Sequence, residues 1–562
     1  MTPSSELSLQ VFVALSVLLL AQLLRSWLTV DDGSMDGETE ALLAQKAKVP
    51  AECQAMVRAL EGATMEDDEG ACAAQMIAIV RAKHLSYATL VDRPELLLRC
   101  SQGMEGANGA LWTRFTVQYN LFAGSIVALG TDAQRAALIA SQAEGELGCF
   151  AFTERGAGVL SGAAVETTAH WDGAAKEFVI SSPTESSAKT WISQGMYART
   201  AVILAKLFVG GEDRGPHLFW APIADKAPAN KGKKDDDPTA RPTPRRGVVL
   251  TDNPKKTALV GLDNAEVRFD GFRVAHGALL ARFGGVDAAS GAYVPALPAG
   301  CGRMLDVLLA RLLTGRIVLS EATLAHAMAR LRLNWGYTTR RSLWKGRRAT
   351  ETPTMSAMPN VRRNFRDYGR TAAIAQAFVA ATREDVAEAI RSDRFASDTI
   401  EATCMCKFLG TGTGVDIVSA VRKVMGARAL QADARLGAQS FLPNATSAAE
   451  GDNTIMELKV VQDVVRGRTA KLPWGLMARV ALGGSGAGRR AVAFYLLRFS
   501  RAMLLRKRAM ADGELLRDIA WARTHMRVID VWLAATAGNP ARRAWLRSYE
   551  KVLMRFPTPT QA

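Results

Sequence analysis

The chain has 562 residues, enough for three or four domains at about 150 residues each, and its 48% hydrophobic and 22% charged content excludes both a mini-protein and wholesale disorder. Lys plus Arg number 70 against 55 Asp plus Glu, a formal +15 that suits an anionic partner such as nucleic acid, lipid headgroups or a phosphate-bearing cofactor without choosing among them. Seven scattered cysteines, an odd number, exclude a dense disulfide framework and suit a reducing compartment. Cys404-Met405-Cys406 has no second Cys pair and the six histidines show no ligand spacing, so no metal site is expected.

From Leu7 to Leu24 there are 18 residues without a charge, followed by Arg25 and Trp27. That length suffices to span a bilayer, with Trp27 in the interfacial belt and Arg25 snorkelling, and a membrane anchor over residues 1–35 is the expectation. A buried or partner-binding helix is the competing reading, and Glu6 argues against a cleaved signal peptide. No second span of this length is expected further on.

After an acidic stretch from Asp31 to Glu40, apolar spacing predicts a helical N-terminal domain over 36–148, with helices in Glu52–Leu60 and Ala71–Ala82. At Cys149 the pattern turns to short β-rich segments, Lys176–Ile180, Ala201–Val209, His217–Pro222, Gly247–Leu250 and Ala265–Phe272, which set a β-domain over 149–285. Lys226–Arg246, with its lysine and aspartate runs and four prolines, reads as a solvated surface loop. Helical periodicity returns in Met304–Leu319, Thr371–Ile390 and Ile455–Val465, giving a bundle over 286–470 and a further helical domain over 471–562. Gly483–Gly488 lacks the second strand and acid of a dinucleotide fingerprint and reads as a flexible linker.

The chemistry-bearing run is Gly148-Cys149-Phe150-Ala151-Phe152-Thr153-Glu154-Arg155-Gly156-Ala157-Gly158, with Lys189-Thr190-Trp191-Ile192 further on. A hydroxyl and glycines beside a strand let backbone amides approach a planar polar ligand, and a tryptophan packs on its face; a plain glycine turn between strands is the bland alternative. These residues resemble the acyl-CoA oxidases, within the wider acyl-CoA dehydrogenase group of flavoproteins, whose G-C-F-A-M-T-E-L-x-H-G pattern is met with Phe152 for Met, Arg155 for Leu and Ala157 for His. Leu262-Asp263-Asn264, Arg268–Val274, Leu279–Gly284 with Gly291–Val294, and Glu450-Gly451-Asp452-Asn453-Thr454 follow in the family's order, so the resemblance covers about residues 120 to 465.

The resemblance implies a multidomain α+β protein with a helical N-terminal domain, a β-barrel middle domain, a four-helix-bundle domain and an extra helical C-terminal domain. It implies FAD as cofactor, acyl-CoA as substrate, trans-2-enoyl-CoA as product, molecular oxygen as electron acceptor and a homodimer. Desaturation between Cα and Cβ needs a carboxylate within reach of the α-proton, and the match to the family's base is Glu450, which could otherwise cap the helix that follows it. By the same resemblance Thr153 hydrogen-bonds the flavin ring, Gly158 admits close backbone approach, Trp191 packs near the isoalloxazine, and Arg341 contacts the pyrophosphate, a solvated helix face being its alternative.

The chain also departs from the pattern. Ser342-Leu343-Trp344-Lys345 stands after Arg341 where the family has R-Q-F-G, and Gly426-Ala427-Arg428-Ala429 replaces G-G-x-G. Ala449 precedes the base where an aromatic is usual, and Val159 replaces a serine. Ser193 follows Trp191-Ile192 where oxidases usually have glycine and dehydrogenases Thr or Ser, and its hydroxyl would sit near the flavin N5 and hinder oxygen. These residues keep two alternatives open, a dehydrogenase and a membrane-attached scaffold that has lost catalysis. The family's oxidases are peroxisomal, whereas this chain ends Pro-Thr-Gln-Ala rather than S-K-L. The basic runs lack interleaved aromatic residues, so no nucleic-acid partner is expected.

Overall fold

The computed structural model describes residues 34–45, 49–61, 68–103, 108–158, 164–226, 237–298, 303–344, 352–437, 442–465, 474–483, 486–505 and 512–553. The expected anchor at 1–35 therefore falls outside the described residues except for Ser34 and Met35, as do Val159, part of the lysine and aspartate loop, and the C-terminal tetrapeptide. The chain forms two compact units, one of residues 48–318 with 386–395, the other of the remainder.

The first unit opens with helices. Helix α1 (Ala51–Glu61) buries Cys53, Met56, Val57 and Leu60, the i, i+3, i+4, i+7 stripe that its sequence predicts. Helix α2 (Glu69–Ala82) is capped by the Asp68 carboxylate, which accepts from Ala71 N at 2.8 Å. Helix α3 (Gly109–Phe115) runs into a π-helical stretch, Thr116–Ala123, before α4 (Asp132–Ser141), whose start is fixed by a reciprocal Thr131–Gln134 capping box.

The strands follow: β1 (Gly148–Ala151), β2 (Thr168–Asp172), β3 (Glu177–Ser181), β4 (Lys189–Ser193), β5 (Thr200–Val209), β6 (Glu212–Pro222), β7 (Ala224–Asp225), β8 (Thr243–Pro244), β9 (Val248–Asp252), β10 (Asn264–Phe269), β11 (Phe272–Ala275), β12 (Gly284–Val286) and β13 (Tyr293–Pro295). β1 and β2 lie end to end along one edge of β5, both parallel to it, while β6 covers the other edge. β3 and β11 extend this six-stranded sheet beyond β2. A separate three-stranded sheet runs β4-β10-β9. Both contribute to one core, with Ala151, Phe178, Ile203 and Phe219 from the first sheet and Ile192, Val267 and Phe269 from the second.

Among the described residues these ladders are open, so the expected barrel is seen as two sheets on a shared core rather than one closed ring. The single strand expected over Ala265–Phe272 is two, split by Gly271 at φ +58°. The expected surface loop is tied down over its described part: Arg241 bridges Glu69 at 2.9 Å and Asp252 at 2.6 Å, and β7 pairs with β8.

The second unit is helical. Its long helices are α5 (Met304–Thr338), α6 (Pro359–Ser392), α7 (Ser397–Met425), α8 (Leu442–Ala448), α9 (Asn453–Val465), α10 (Trp474–Gly483), α11 (Gly486–Leu505), α12 (Gly513–Ala535) and α13 (Leu546–Leu553), the unit boundaries falling within α5 and α6. The segment Ser397–Leu430 is long and apolar enough to cross a membrane, contrary to the expectation of no second span. However, 78% of its most apolar window is buried inside the protein, as in a core helix.

Gly486 and Gly488 begin α11 rather than an extended linker. A Cβ on Gly488 would lie 2.0 Å from the Val480 carbonyl oxygen, so glycine there permits close approach of α11 to α10.

Candidate active site

In the first unit the structure brings Thr153, Gly158, Trp191 and Ser193 onto neighbouring segments. Thr190 N donates to Thr153 O at 2.9 Å, which joins the residues after β1 to β4. Beneath that join Lys189 Nζ donates to Glu154 Oε1 at 2.8 Å, both side chains buried. Glu154 also accepts from Glu166 N at 2.7 Å and Thr167 N at 3.0 Å. Burial alone would raise its pKa, but Lys189 and these donors win and hold the carboxyl below the usual Glu range. Burial pushes Lys189 down to about 8 against the pull of Glu154.

Trp191 is 63% exposed and has φ +57°, a left-handed conformation that is uncommon for a bulky residue. An exposed indole plane held in a strained backbone is suited to stacking on a flat ligand. Gly158 has φ +51°, and among the described residues nothing lies within 4 Å of where a Cβ would be, so its backbone conformation is what favours glycine. Ser193 Oγ accepts from Asn264 Nδ2 at 3.0 Å, across the β4–β10 ladder.

The turn after Ser193 is fixed by residues whose roles local sequence patterning did not reveal. Gln194 Nε2 donates to Gly148 O and to Gln118 Oε1, each at 2.8 Å, and Gln118 Oε1 also accepts from Gly148 N at 2.9 Å. Asp263 Oδ2 accepts from Met196 N at 2.7 Å, and its other oxygen pairs with Arg114 at 2.7 Å, both side chains fully buried. The Leu262-Asp263-Asn264 motif thus holds the end of β4 through Asp263 and addresses Ser193 through Asn264.

In the second unit Glu450 lies between α8 and α9, half-buried, with φ +57°. Gly451 follows at φ +97°. Asp452 caps α9, its Oδ1 accepting from Thr454 N at 2.8 Å, so the capping role weighed for Glu450 belongs to Asp452. Asn453 begins the helix, and its Oδ1 accepts from Lys407 Nζ at 3.0 Å. Lys407, fully buried on α7, also donates to Ser447 O at 3.0 Å and Gly451 O at 3.3 Å.

Arg341 lies in this unit beyond the end of α5, exposed, with its Nη1 on the Ser342 carbonyl at 3.2 Å. The substituted glycine positions have local uses: Ala429 is buried in the helical core, Ala427 is exposed, and Arg428 pairs with Asp433 and lies 4.6 Å from the Tyr337 ring centre. A cavity of about 520 Å³ opens among α6, α7, α12 and α13, lined by Tyr368, Asp416, Lys423, Trp521 and His525 among others. None of the motif residues lines it. Among the described residues no cluster of three or more His, Cys, Asp or Glu is placed to hold a metal.

No family model matches the chain. It is 30% identical over 269 residues to the peroxisomal acyl-coenzyme A oxidase 2 of Arabidopsis thaliana, covering 46% of this chain and 36% of that protein. It is 40% identical over 149 residues to the human peroxisomal acyl-coenzyme A oxidase 3, 26% of this chain and 19% of that one. The matches thus span about a third or less of the length of these relatives. The fold is similar to that of acyl-CoA oxidase 1 from Yarrowia lipolytica, with a TM-score of 0.65 and 19% identity over 94% of this chain and 87% of that one. It is equally similar to acyl-CoA oxidase 2 of Caenorhabditis elegans, solved with FAD, ascaroside-CoA and ATP, at TM-score 0.65 and 17% identity over 93% and 85%.

Proposed function

We propose that the chain belongs to the acyl-CoA oxidase and dehydrogenase family, which its similarity to the peroxisomal oxidases supports, and that it is an FAD-dependent acyl-CoA oxidase of fatty-acid β-oxidation, converting an acyl-CoA to the trans-2-enoyl-CoA. The observation that carries this reading is the backbone of Glu450: a glutamate held at φ +57° on a loop whose helix is already capped by Asp452. Left-handed conformations of non-glycine residues cost about 1 to 3 kcal/mol and cluster at active sites.

In this reading Glu450 takes the α-proton as general base, and the bound FAD supplies the acceptor for the hydride from Cβ, with molecular oxygen the terminal acceptor. The residues fit the cofactor: Trp191 offers an exposed aromatic plane, Thr153 stands beside it on the joined segment, and Gly158 holds the positive φ that glycine adopts readily. Arg341, exposed, is free of any buried structural duty and is suited to a diphosphate. The two sheets are read as halves of the family's barrel, within domains bounded at 36–148, 149–285, 286–470 and 471–562. We further read the protein as a homodimer, peroxisomal like the relatives so named, and attached to a membrane through its uncharged segment at 7–24.

The test is spectroscopic. Purified protein should carry the flavin absorbance bands and bleach on anaerobic addition of acyl-CoA. Glu450→Gln should keep the bands and lose the bleaching. Colourless protein under all conditions, including reconstitution with FAD, would overturn the enzyme reading and favour the scaffold.

A further inference from the structure

We infer that Lys407 is a positioning residue for the catalytic loop: its buried ammonium fixes the backbone on both sides of Glu450. The inference rests on Glu450 being the base. An ammonium taken out of water is tolerated only where its donors find acceptors, and Lys407 is fully buried. Three of its acceptors lie on or beside one loop: Ser447 O, three residues before Glu450; Gly451 O, one after; and Asn453 Oδ1, three after.

Ser447 lies in the last turn of α8, where carbonyls lack helical partners and a cation is electrostatically favoured. Asn453 is held from a second direction, its Nδ2 donating at 3.0 Å to Thr411 Oγ1, one turn further along α7. One helix therefore grips the end of α8 and the start of α9. The left-handed Glu450 and Gly451 lie in the span between these grips. Such strained conformations persist only when the surroundings over-determine them, and Lys407 ties the span at both ends.

The consequence is kinetic. Lys407→Met keeps an unbranched buried stem and removes all three donors, so the loop can relax and carry Glu450 away from its working position. Displacement of a reacting group by about 1 Å costs on the order of 10²-fold in rate. In the flavin-loaded protein, Lys407→Met should slow anaerobic bleaching by acyl-CoA roughly 10²-fold per bound flavin, leave the affinity for a non-oxidisable thioether analogue unchanged, and shift the acid limb of the rate's pH profile. Lys407→Arg, which keeps charge and donors, should recover part of the rate. If Lys407→Met fails to fold, Asn453→Leu removes one of these acceptors from the loop side and should show a smaller loss in the same direction.

Wild-type bleaching per flavin in Lys407→Met or Asn453→Leu, with Glu450→Gln inactive, would overturn the positioning role and leave the base assignment standing. Equally, a rate loss accompanied by the wild-type pH profile and no recovery in Lys407→Arg would mark Lys407 as merely structural and overturn it. Wild-type bleaching in Glu450→Gln would instead sink the base assignment itself.

Discussion

Lys189 and Glu154 form an ion pair of 2.8 Å with exposures of 0% and 2%, directly beneath the backbone bond that joins Thr153 to Thr190. Glu154 follows Thr153 in the chain and Lys189 stands two residues before Trp191, the two residues proposed to face the flavin ring, so the pair's integrity bears on cofactor binding as well as stability. Removing one partner of a buried pair leaves an uncompensated charge and costs about 3 to 5 kcal/mol. Lys189→Met should therefore lose about that much in urea unfolding and lower flavin occupancy of the purified protein. Unchanged midpoint and occupancy would contradict it.

Acid should weaken the helical unit through His525. Burial pushes this imidazole down from 6.5 to about 3, and its Nδ1 lies 2.8 Å from the Tyr549 hydroxyl. Between those values the unfolded chain binds the proton and the folded chain does not, so stability falls as pH drops from about 6.5 toward 3. Trp521, with ring centres 5.5 Å apart from His525, reports this by fluorescence. His525→Gln should flatten the acid limb of the unfolding midpoint against pH.

A side chain at Gly451 should strain the loop. The glycine's φ is +97°, and a Cβ there would lie 2.7 Å from Met456 Cε. Gly451→Ala is expected to cost about 1 to 2 kcal/mol from strain in a positive-φ conformation and to lower bleaching rate by a larger factor than stability loss explains. Stopped-flow bleaching set beside thermal unfolding separates the two.

Ser193 is the residue on which the choice of electron acceptor should turn. Its hydroxyl is held by Asn264 at 3.0 Å, and we propose that it faces the flavin N5. Ser193→Gly should raise the rate with oxygen relative to an artificial dye acceptor. A parallel change in both rates would remove Ser193 from that role.

Much of the architecture was legible locally. The stripe Cys53, Met56, Val57 and Leu60 has helical period and is buried as a stripe, and Thr200–Val209 is a β-rich run that becomes the central strand. Glu450, Thr153, Gly158 and Trp191 could be picked out as candidates because each lies in a short contiguous motif. The π-helical turn at Thr116–Ala123 and the splitting of Ala265–Phe272 were not, since periodicity averages over single-residue changes in the backbone.

What the sequence by itself determined is the set of elements and the short motifs, because both are written in neighbouring residues whose side-chain period or backbone freedom acts within a few positions. What tertiary structure decided is which residues hold those motifs in place. Asp452 rather than Glu450 caps the helix, Lys407 reaches loop atoms 40 to 46 positions away, and Gln194 reaches Gln118 across 76. Such contacts follow from the packing of whole elements: a buried donor must find an acceptor, and the fold alone brings that acceptor within 3 Å.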